Sequence, residues 1–434
     1  MTRAIVKLWN TEVGALTLDD GEEYASFEYL PSFLKSRIEI SPFTMPLSTR
    51  VFRFPAIPKE TFKGLPGAFS DSLPDRFGNT VINAWLESQG RKSDSLNAIE
   101  RLCYTGKRGM GAFEYEPALA NGMASKSDQV KIDELVKLSN EVLNSRKKLS
   151  VMLSSGSNES ELLKLVQVGS SAGGARAKAL VAWNKTTGEM KSGQICAGEG
   201  FEHYLIKFDG VSGNGDHNFT DATGFCNIEY AYYLMAKAVG IDMTESQLFT
   251  ENGRSHFMTK RFDRKPDGSK IHMLTLGGLR HFDFNAPGSN SYEQAAETLI
   301  SLGLRNGTLE ELYRRMCFNI VARNQDDHVK NISFLMDKNG KWRLAPAYDL
   351  TFSYRPDSIW VGQHQMTMSG KRSGFTLADF TAASTAMRTK PHRAKEILEQ
   401  VELHTKNFSV YANAAGVPEK TSSFIANQFE YFLT

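Results

Sequence analysis

The stretch from Thr308 to Leu350 restricts the fold most: an apolar-striped helix, a polar segment, then a hairpin. Leu309, Leu312, Tyr313, Met316, Cys317, Ile320 and Val321 recur at helical spacing, and Thr308 with Glu311 has capping-box spacing at the start. A helix striped in this way must bury one face. The segment leaving it, "NQDDHVKN" (324–331), is therefore held by a packed element. "ISFLM", an Asn-Gly-containing turn and "WRLAP" then read as a hairpin. That hairpin returns the chain towards its start, bringing Asp349 of "LAPAYDL" near Asp326 and Asn331. Two carboxylates and an amide oxygen are hard donors suited to magnesium bound through substrate phosphates. A solvated turn beside an unrelated acid is the plain alternative, and this stretch alone leaves the two readings even.

At 434 residues the chain exceeds one ordinary domain, so about two or three packed units are expected. A composition 41% hydrophobic and 23% charged supports a sizeable core and excludes global disorder. The formal net charge of +2 excludes a chain-wide nucleic-acid field and leaves room for local patches such as "SGKRSG" (369–374). Cys103, Cys196, Cys226 and Cys317 have no CxxC spacing, which argues against structural zinc and a disulfide framework and fits a reducing cytosol. "MTRAIVKLWN" lacks the apolar core of a secretory signal, and no apolar run is long enough to span a bilayer. A cytoplasmic, soluble protein with no membrane partner is expected.

Along the chain, "AIVKLW", "VGALTL" and "YASFEYL" read as strands, and "LPDRFGNTVINAWLESQG" as a loop feeding a helix striped by Val81, Ile82, Trp85 and Leu86. The polar helical stretch 124–150 reads as a connector, with a boundary near 150. "KALVAWNKTTGEM" and "EHYLIKFDG" read as strands, "NIEYAYYLMAKAVGI" as a helix, and "SHFMTKRFDR" as a strand entering a polar turn. The rest is mainly helical. This order predicts α+β architecture in three parts: a β-rich region with its linker helix over 1–150, a mixed α/β region over 151–265, and a helical region over 266–434.

Three further motifs precede the polar segment. "VGSSAGGARAKALV" (168–181) is a glycine-rich loop that can turn backbone N–H groups towards phosphate oxygens, although a flexible turn is the commoner meaning. "YLIKF" sets Lys207 in an apolar strand, where it either faces solvent or meets an acid; the following helix offers Glu229. Glycine-rich loop, strand lysine, helix glutamate, strand-to-turn segment, Asp-x-x-x-x-Asn and a final Asp follow the order of parts in a protein kinase. The chain has no GxGxxG, no arginine directly before Asp326 and no Phe-Gly after Asp349. A standard eukaryotic-type kinase is excluded; a divergent one is not.

In "GSSAGGARAKAL", "YLIKF", "TKRFDR", "NQDDHVKNISFL" and "WRLAPAYDL", with "LPDRFGN" and "GKRGMGAFEY" nearer the start, the chain resembles the HipA toxin family, bacterial serine/threonine kinases of toxin–antitoxin modules. The resemblance implies a divergent protein-kinase-like fold, with a β-rich N-terminal domain and a mainly helical C-terminal lobe. It implies Asp326 as catalytic base, Asn331 and Asp349 as magnesium ligands, and Lys207 on ATP phosphates with Glu229 as its partner. Ala172, Gly173, Gly174, Ala175, Arg176 and Lys178 would form the loop over the nucleotide. Lys260, Arg261, Phe262 and Asp263 would form the hinge at adenine and ribose, and His328, Lys330 and Tyr348 would line the site. Ser171 matches the serine whose autophosphorylation silences family members. Asp327 stands where some relatives have glycine and reads as a spare surface acid. The implied partners are a helix-turn-helix antitoxin similar to HipB, operator DNA reached through it, and a protein substrate such as an aminoacyl-tRNA synthetase. Two other readings compete: a catalytically silent nucleotide-binding co-repressor, and a metal-dependent hydrolase built on Asp326, Asp327 and His328.

Overall fold

Strand β1 (Thr2–Leu8) turns Ala4, Val6 and Leu8 inward and Lys7 outward, where its ammonium lies 2.7 Å from Glu116. This is the period-2 alternation of a half-buried strand. The computed structural model describes residues 1–92, 95–117, 129–144, 176–194, 196–211, 224–304 and 307–433. In it β1 joins β2 (Thr11–Leu18), β3 (Ser26–Tyr29) and β4 (Phe113–Glu116) in an antiparallel sheet of order β3-β2-β1-β4.

Between β3 and β4 runs the helix Arg76–Ser88, capped by Asp75, whose carboxylate accepts from Gly78 N at 2.6 Å. Its two faces serve different neighbours. Ile82 and Leu86 pack with Leu96 and Tyr104, whereas Phe77, Val81 and Ala84 pack on a second sheet. That sheet contains β5 (Lys178–Trp183), β6 (Met190–Ser192), β7 (Glu202–Lys207), β8 (Ser246–Glu251) and β9 (Arg254–Lys260), antiparallel in the order β6-β5-β7-β9-β8. The helix Ile132–Asn144, expected as a connector, lays Ile132, Leu135 and Val136 on this same sheet.

A third sheet, of order β10-β11-β12, consists of β10 (His272–Thr275), β11 (Ser333–Met336) and β12 (Trp342–Leu344). β11 and β12 are the hairpin read from the sequence, paired Phe334↔Leu344 and Met336↔Trp342. Gly340 supplies the positive φ of +76° its turn needs. The last third is helical, with Pro391–Lys406 packed on Gly307–Val321. One continuous core joins Val6, Phe27 and Phe69 of the N-terminal region to Phe318, Ile320 and Phe408 of these helices. The architecture is α+β, β-rich at the start and helical at the end, as predicted.

One local expectation fails. The helix begins at Gly307, so Thr308 lies inside it rather than capping it. Glu311 turns instead to Arg315 Nε at 2.8 Å and accepts from Asp242 N at 3.0 Å. Among the described residues no helix is long and apolar enough to cross a membrane.

Candidate active site

Every apolar residue of the predicted stripe on Gly307–Val321 is buried, so the segment that follows leaves a fixed element. The helix closes with Arg323 at φ +54°: Arg323 N bonds Ile320 O at 3.4 Å and Asn324 N bonds Asn319 O at 2.9 Å. This paired closure usually recruits glycine for the left-handed residue. The next residues are clamped, because Gln325 N donates to Ser353 O at 3.1 Å and Ser353 N to Arg323 O at 3.0 Å. Asn331 folds the far end back: its Nδ2 donates to Asp326 O at 2.9 Å, and its N to His328 O at 2.8 Å. The amide nitrogen is thereby committed, and the amide oxygen is the end left to face a cation.

Lys207 closes the site from β7. Its ammonium lies 2.6 Å from Glu229 Oε1 and also bonds Asp349 Oδ1. Burial disfavours charge on Lys207, but Asp349 and Glu229 outweigh it and hold its pKa above the ordinary lysine value. Burial would likewise raise Asp349, yet Lys207 and Lys178 hold that carboxyl well below the usual range. Glu229 is pushed up by burial, with Lys207 opposing. Asp349 adopts φ +57°, a left-handed conformation that acids tolerate better than most side chains. Glu229 sits on the helix Phe225–Val239, fixed to the polar loop's helix by Tyr232 Oη donating to Ala322 O at 2.6 Å. A cation and two carboxylates thus converge from three separate elements. Asn331 and Asp349 carry the hard oxygen atoms that the family resemblance implies as magnesium ligands.

The expected hinge is more internal than the sequence implies. Asp263 is fully buried and accepts from Arg261 at 2.8 and 2.7 Å, from Arg264 at 2.7 Å and from Gly111 N at 2.8 Å. The side chains of Arg261 and Asp263 are therefore spent on each other, and Lys260 is paired with Glu202. Phe262 remains, its ring 5.6 Å from Tyr348. Tyr348 Oη bonds Ser333 Oγ and Lys330 O, which leaves the Lys330 ammonium over the Phe284 ring at 4.5 Å. His328 lies 6.0 Å from the same ring, with its Nδ1 buried and without a hydrogen-bond partner among the described residues. The Arg176 guanidinium covers Phe225 at 4.2 Å. Ser171, Ala172, Gly173, Gly174 and Ala175 lie outside the described residues.

Two acids were missed and one was misread. Asp75 caps its helix with one oxygen and faces Lys178 with the other at 3.3 Å, both side chains being buried. Asp71 accepts from Thr275 N at 2.7 Å and Thr275 Oγ1 at 2.9 Å, with Lys330 acting on its charge. The Asp-x-x-Gly spacing of "LPDRFGN" signals the cap, but nothing local signals the lysine. Asp327 is no surface acid: at 3% exposure it accepts from Tyr292 Oη, His364 Nδ1 and Gln365 N at 2.7, 2.9 and 2.7 Å. So committed, it is not available beside Asp326 and His328 for the metal site of a hydrolase. The basic run "SGKRSG" is also internally paired, Lys371 with Asp379 at 2.8 Å and Arg372 Nε with His364 O at 2.6 Å.

Residues 4–116 match the HipA N-terminal domain, and residues 170–408 match the HipA-like C-terminal domain. The chain belongs to the HipA family. A candidate kinase of Haemophilus influenzae is 28% identical to this HipA-family chain over 134 residues, 28% of this chain and 39% of that protein. A candidate kinase of Sinorhizobium fredii is 31% identical over 159 residues, 34% of this chain and 36% of that protein. The matches thus span under two fifths of either relative's length. HipA of Shewanella oneidensis MR-1, solved with HipB and its operator DNA, superposes with a TM-score of 0.65 at 14% identity, covering 98% of this chain and 94% of that one. At that identity the likeness is one of fold, and the fold is the kinase-like α+β fold of HipA.

Proposed function

We propose that this HipA-family chain is an ATP- and magnesium-dependent serine/threonine protein kinase acting as the toxin of a toxin–antitoxin module. The observation that carries the reading is Lys207 held between Glu229 and Asp349 beside the Asp326–Asn331 loop. Its raised pKa keeps the ammonium charged for a polyphosphate. Magnesium, when bound, neutralises charge on the transferring phosphates, and Asp349 and Asn331 are the residues to hold it. Asp326 takes the proton of the attacking serine or threonine hydroxyl as that oxygen bonds the γ-phosphorus. The bond from that phosphorus to the bridging oxygen breaks, and ADP leaves.

Regulation and partners follow the family. A phosphate on Ser171 adds about −1.5 to −2 charges where nucleotide phosphates must sit, which silences the enzyme. The Shewanella HipA is found with HipB and operator DNA; here too a helix-turn-helix antitoxin carries the chain to an operator. With a net charge of +2, the partner supplies most of the salt-dependent DNA contacts. The substrate class is a translation protein such as an aminoacyl-tRNA synthetase.

Labelled ATP added to a bacterial lysate tests this. Wild type is expected to label itself on Ser171 and at least one other protein, and Asp326→Ala to label neither. ATP binding by wild type without any transfer would instead establish the silent co-repressor. A second expectation concerns Asp75. Asp75→Asn keeps an oxygen for the cap but removes the charge facing the buried Lys178 ammonium, so ATP affinity should fall several-fold and the urea midpoint should fall with it. Asp75→Ala should also lose about 1 kcal/mol of stability with the cap. ATP titration of both variants decides it; unchanged affinity in Asp75→Asn removes Asp75 from the site.

A further inference from the structure

The loop after Asp349 is fastened to the polar loop at each residue flanking Asp326. On one side, Ser353 exchanges bonds with Arg323 and Gln325, and the Gln325 amide, oriented to satisfy its neighbours, donates to Val361 O at 2.8 Å. On the other, Asp327 holds His364 Nδ1 and Gln365 N, while Gln365 Nε2 reaches back to Trp360 O. Within these anchors residues 355–362 form a tight bend. Arg355 N bonds Val361 O at 3.2 Å, Gly362 N bonds Ser358 O at 2.9 Å, and Ser358 Oγ accepts from Trp360 N and Val361 N at 3.2 Å. A Cβ on Gly362 would fall 2.5 Å from Ser358 O and 2.9 Å from Pro356 O, so the bend as folded admits only glycine there.

Ile359 stands on this rigid bend at 80% exposure, the most exposed large hydrophobic side chain described, between exposed Asp357 and half-buried Trp360. An apolar side chain held outward costs the fold hydrophobic burial it could otherwise gain. Four buried polar groups, Asp327, His364, Tyr292 and Asn319, meanwhile fix the loop beneath it: Asn319 Nδ2 donates to Tyr292 Oη at 2.9 Å, completing the chain to Asp327. A buried polar network of this kind, in which Asp327 accepts from Tyr292, His364 and Gln365, specifies one geometry rather than adding much stability.

We propose that Asp327 is a positioning residue, and that the bend it anchors, residues 355–362, is where the polypeptide substrate docks, with Ile359 contacting an apolar side chain near the acceptor hydroxyl. The inference rests on the phosphotransfer reading above. Gln325, on one side of the base, bonds the bend at Val361, and Asp327, on the other, bonds His364 and Gln365 just beyond it, so a chain lying on the bend passes beside Asp326. Asp327 itself touches neither nucleotide nor acceptor; it acts through His364 and Gln365.

The test titrates heat-treated bacterial lysate protein as acceptor at saturating ATP, and ATP at saturating acceptor. Ile359→Asp is expected to raise the half-saturating acceptor concentration about tenfold, leaving the ATP half-saturation and the rate at saturating acceptor unchanged. Asp327→Asn is expected to show the same split. The double variant should be no worse than the worse single one, because both act through one platform. An unchanged acceptor half-saturation in Ile359→Asp overturns the proposal, as does an equal shift for ATP and acceptor in Asp327→Asn. Should Asp327→Asn fail to fold, Ile359→Asp still decides, since its side chain is in solvent. A wild type that labels nothing at any acceptor concentration overturns the phosphotransfer reading and this inference with it, a result distinct from a wild type that transfers normally beside an unaltered Ile359→Asp.

Discussion

Asp326→Asn retains ATP binding and transfers phosphate roughly 10²–10⁴-fold more slowly than wild type, the range expected when a general base is lost and the rest of a site stays in place. The backbone around Asp326 explains the retained binding. Its carbonyl receives Asn331 Nδ2, and its neighbours Gln325 and Asp327 are anchored elsewhere, so an amide in place of the carboxylate leaves these backbone anchors untouched. Asp349→Asn behaves differently. Asp349 neutralises Lys207 and is a magnesium donor in the proposed site, so its loss weakens nucleotide binding together with transfer. Glu229 then remains the only carboxylate bonded to the Lys207 ammonium among the described residues. ATP titration beside single-turnover transfer separates the two variants. Equal, mild losses in both would remove the distinction between base and metal ligand.

The parts of the site legible in the sequence are those whose physical signal is local. Asp326 and Asn331 are five residues apart in one loop, and the hairpin that returns Asp349 to them is marked by its own Asn-Gly turn. Lys207 was legible for another reason: a lysine inside an apolar strand must reach solvent or an acid, and the next helix carries Glu229. Asp75 and Lys178 were not legible as a pair, because neither sits in a run that demands a partner and 103 positions separate them (178 minus 75). Asp327 shows the same limit at shorter range. Two adjacent carboxylates in a polar loop look alike in sequence; which one turns inward depends on Tyr292 and His364, 35 and 37 residues away. The hinge residues carried a recognisable pattern, yet the pattern does not say that Arg261 and Asp263 consume each other. The Thr308 cap failed because the helix already includes Gly307, and Glu311 pairs with Arg315 and Asp242 instead.

The joint at Asp263 carries a large expected stability effect. Asp263 bonds both Arg261 and Arg264, which are buried, and it also receives Gly111 N from the N-terminal region. Arg264 in turn donates to Gly111 O at 3.1 Å and Gly109 O at 3.0 Å, so "GKRGMGAFEY" is bonded to the hinge through this cluster. Burial and the neighbouring Arg261 already depress Arg264 to about 10. Asp263→Ala leaves two buried guanidinium groups facing one another without the carboxylate that bonds both, at a cost of roughly 3–5 kcal/mol. Urea unfolding should register it as a lower midpoint with the slope kept, and ATP affinity should fall with it because the hinge loses its support. The pH dependence has a definite sign. Burial raises the Asp263 carboxyl, but Arg261 and Arg264 outweigh it and hold the folded pKa below the unfolded value of about 3.9. The unfolded chain therefore binds this proton first as acid is added. The stabilisation is fully present above about pH 4 and is lost as the pH falls below that towards the folded value. The gap in urea midpoint between wild type and Asp263→Asn should accordingly be constant from pH 8 to about pH 5 and narrow below about pH 4. A gap that stays open in acid would mean that shape, rather than charge, holds the joint.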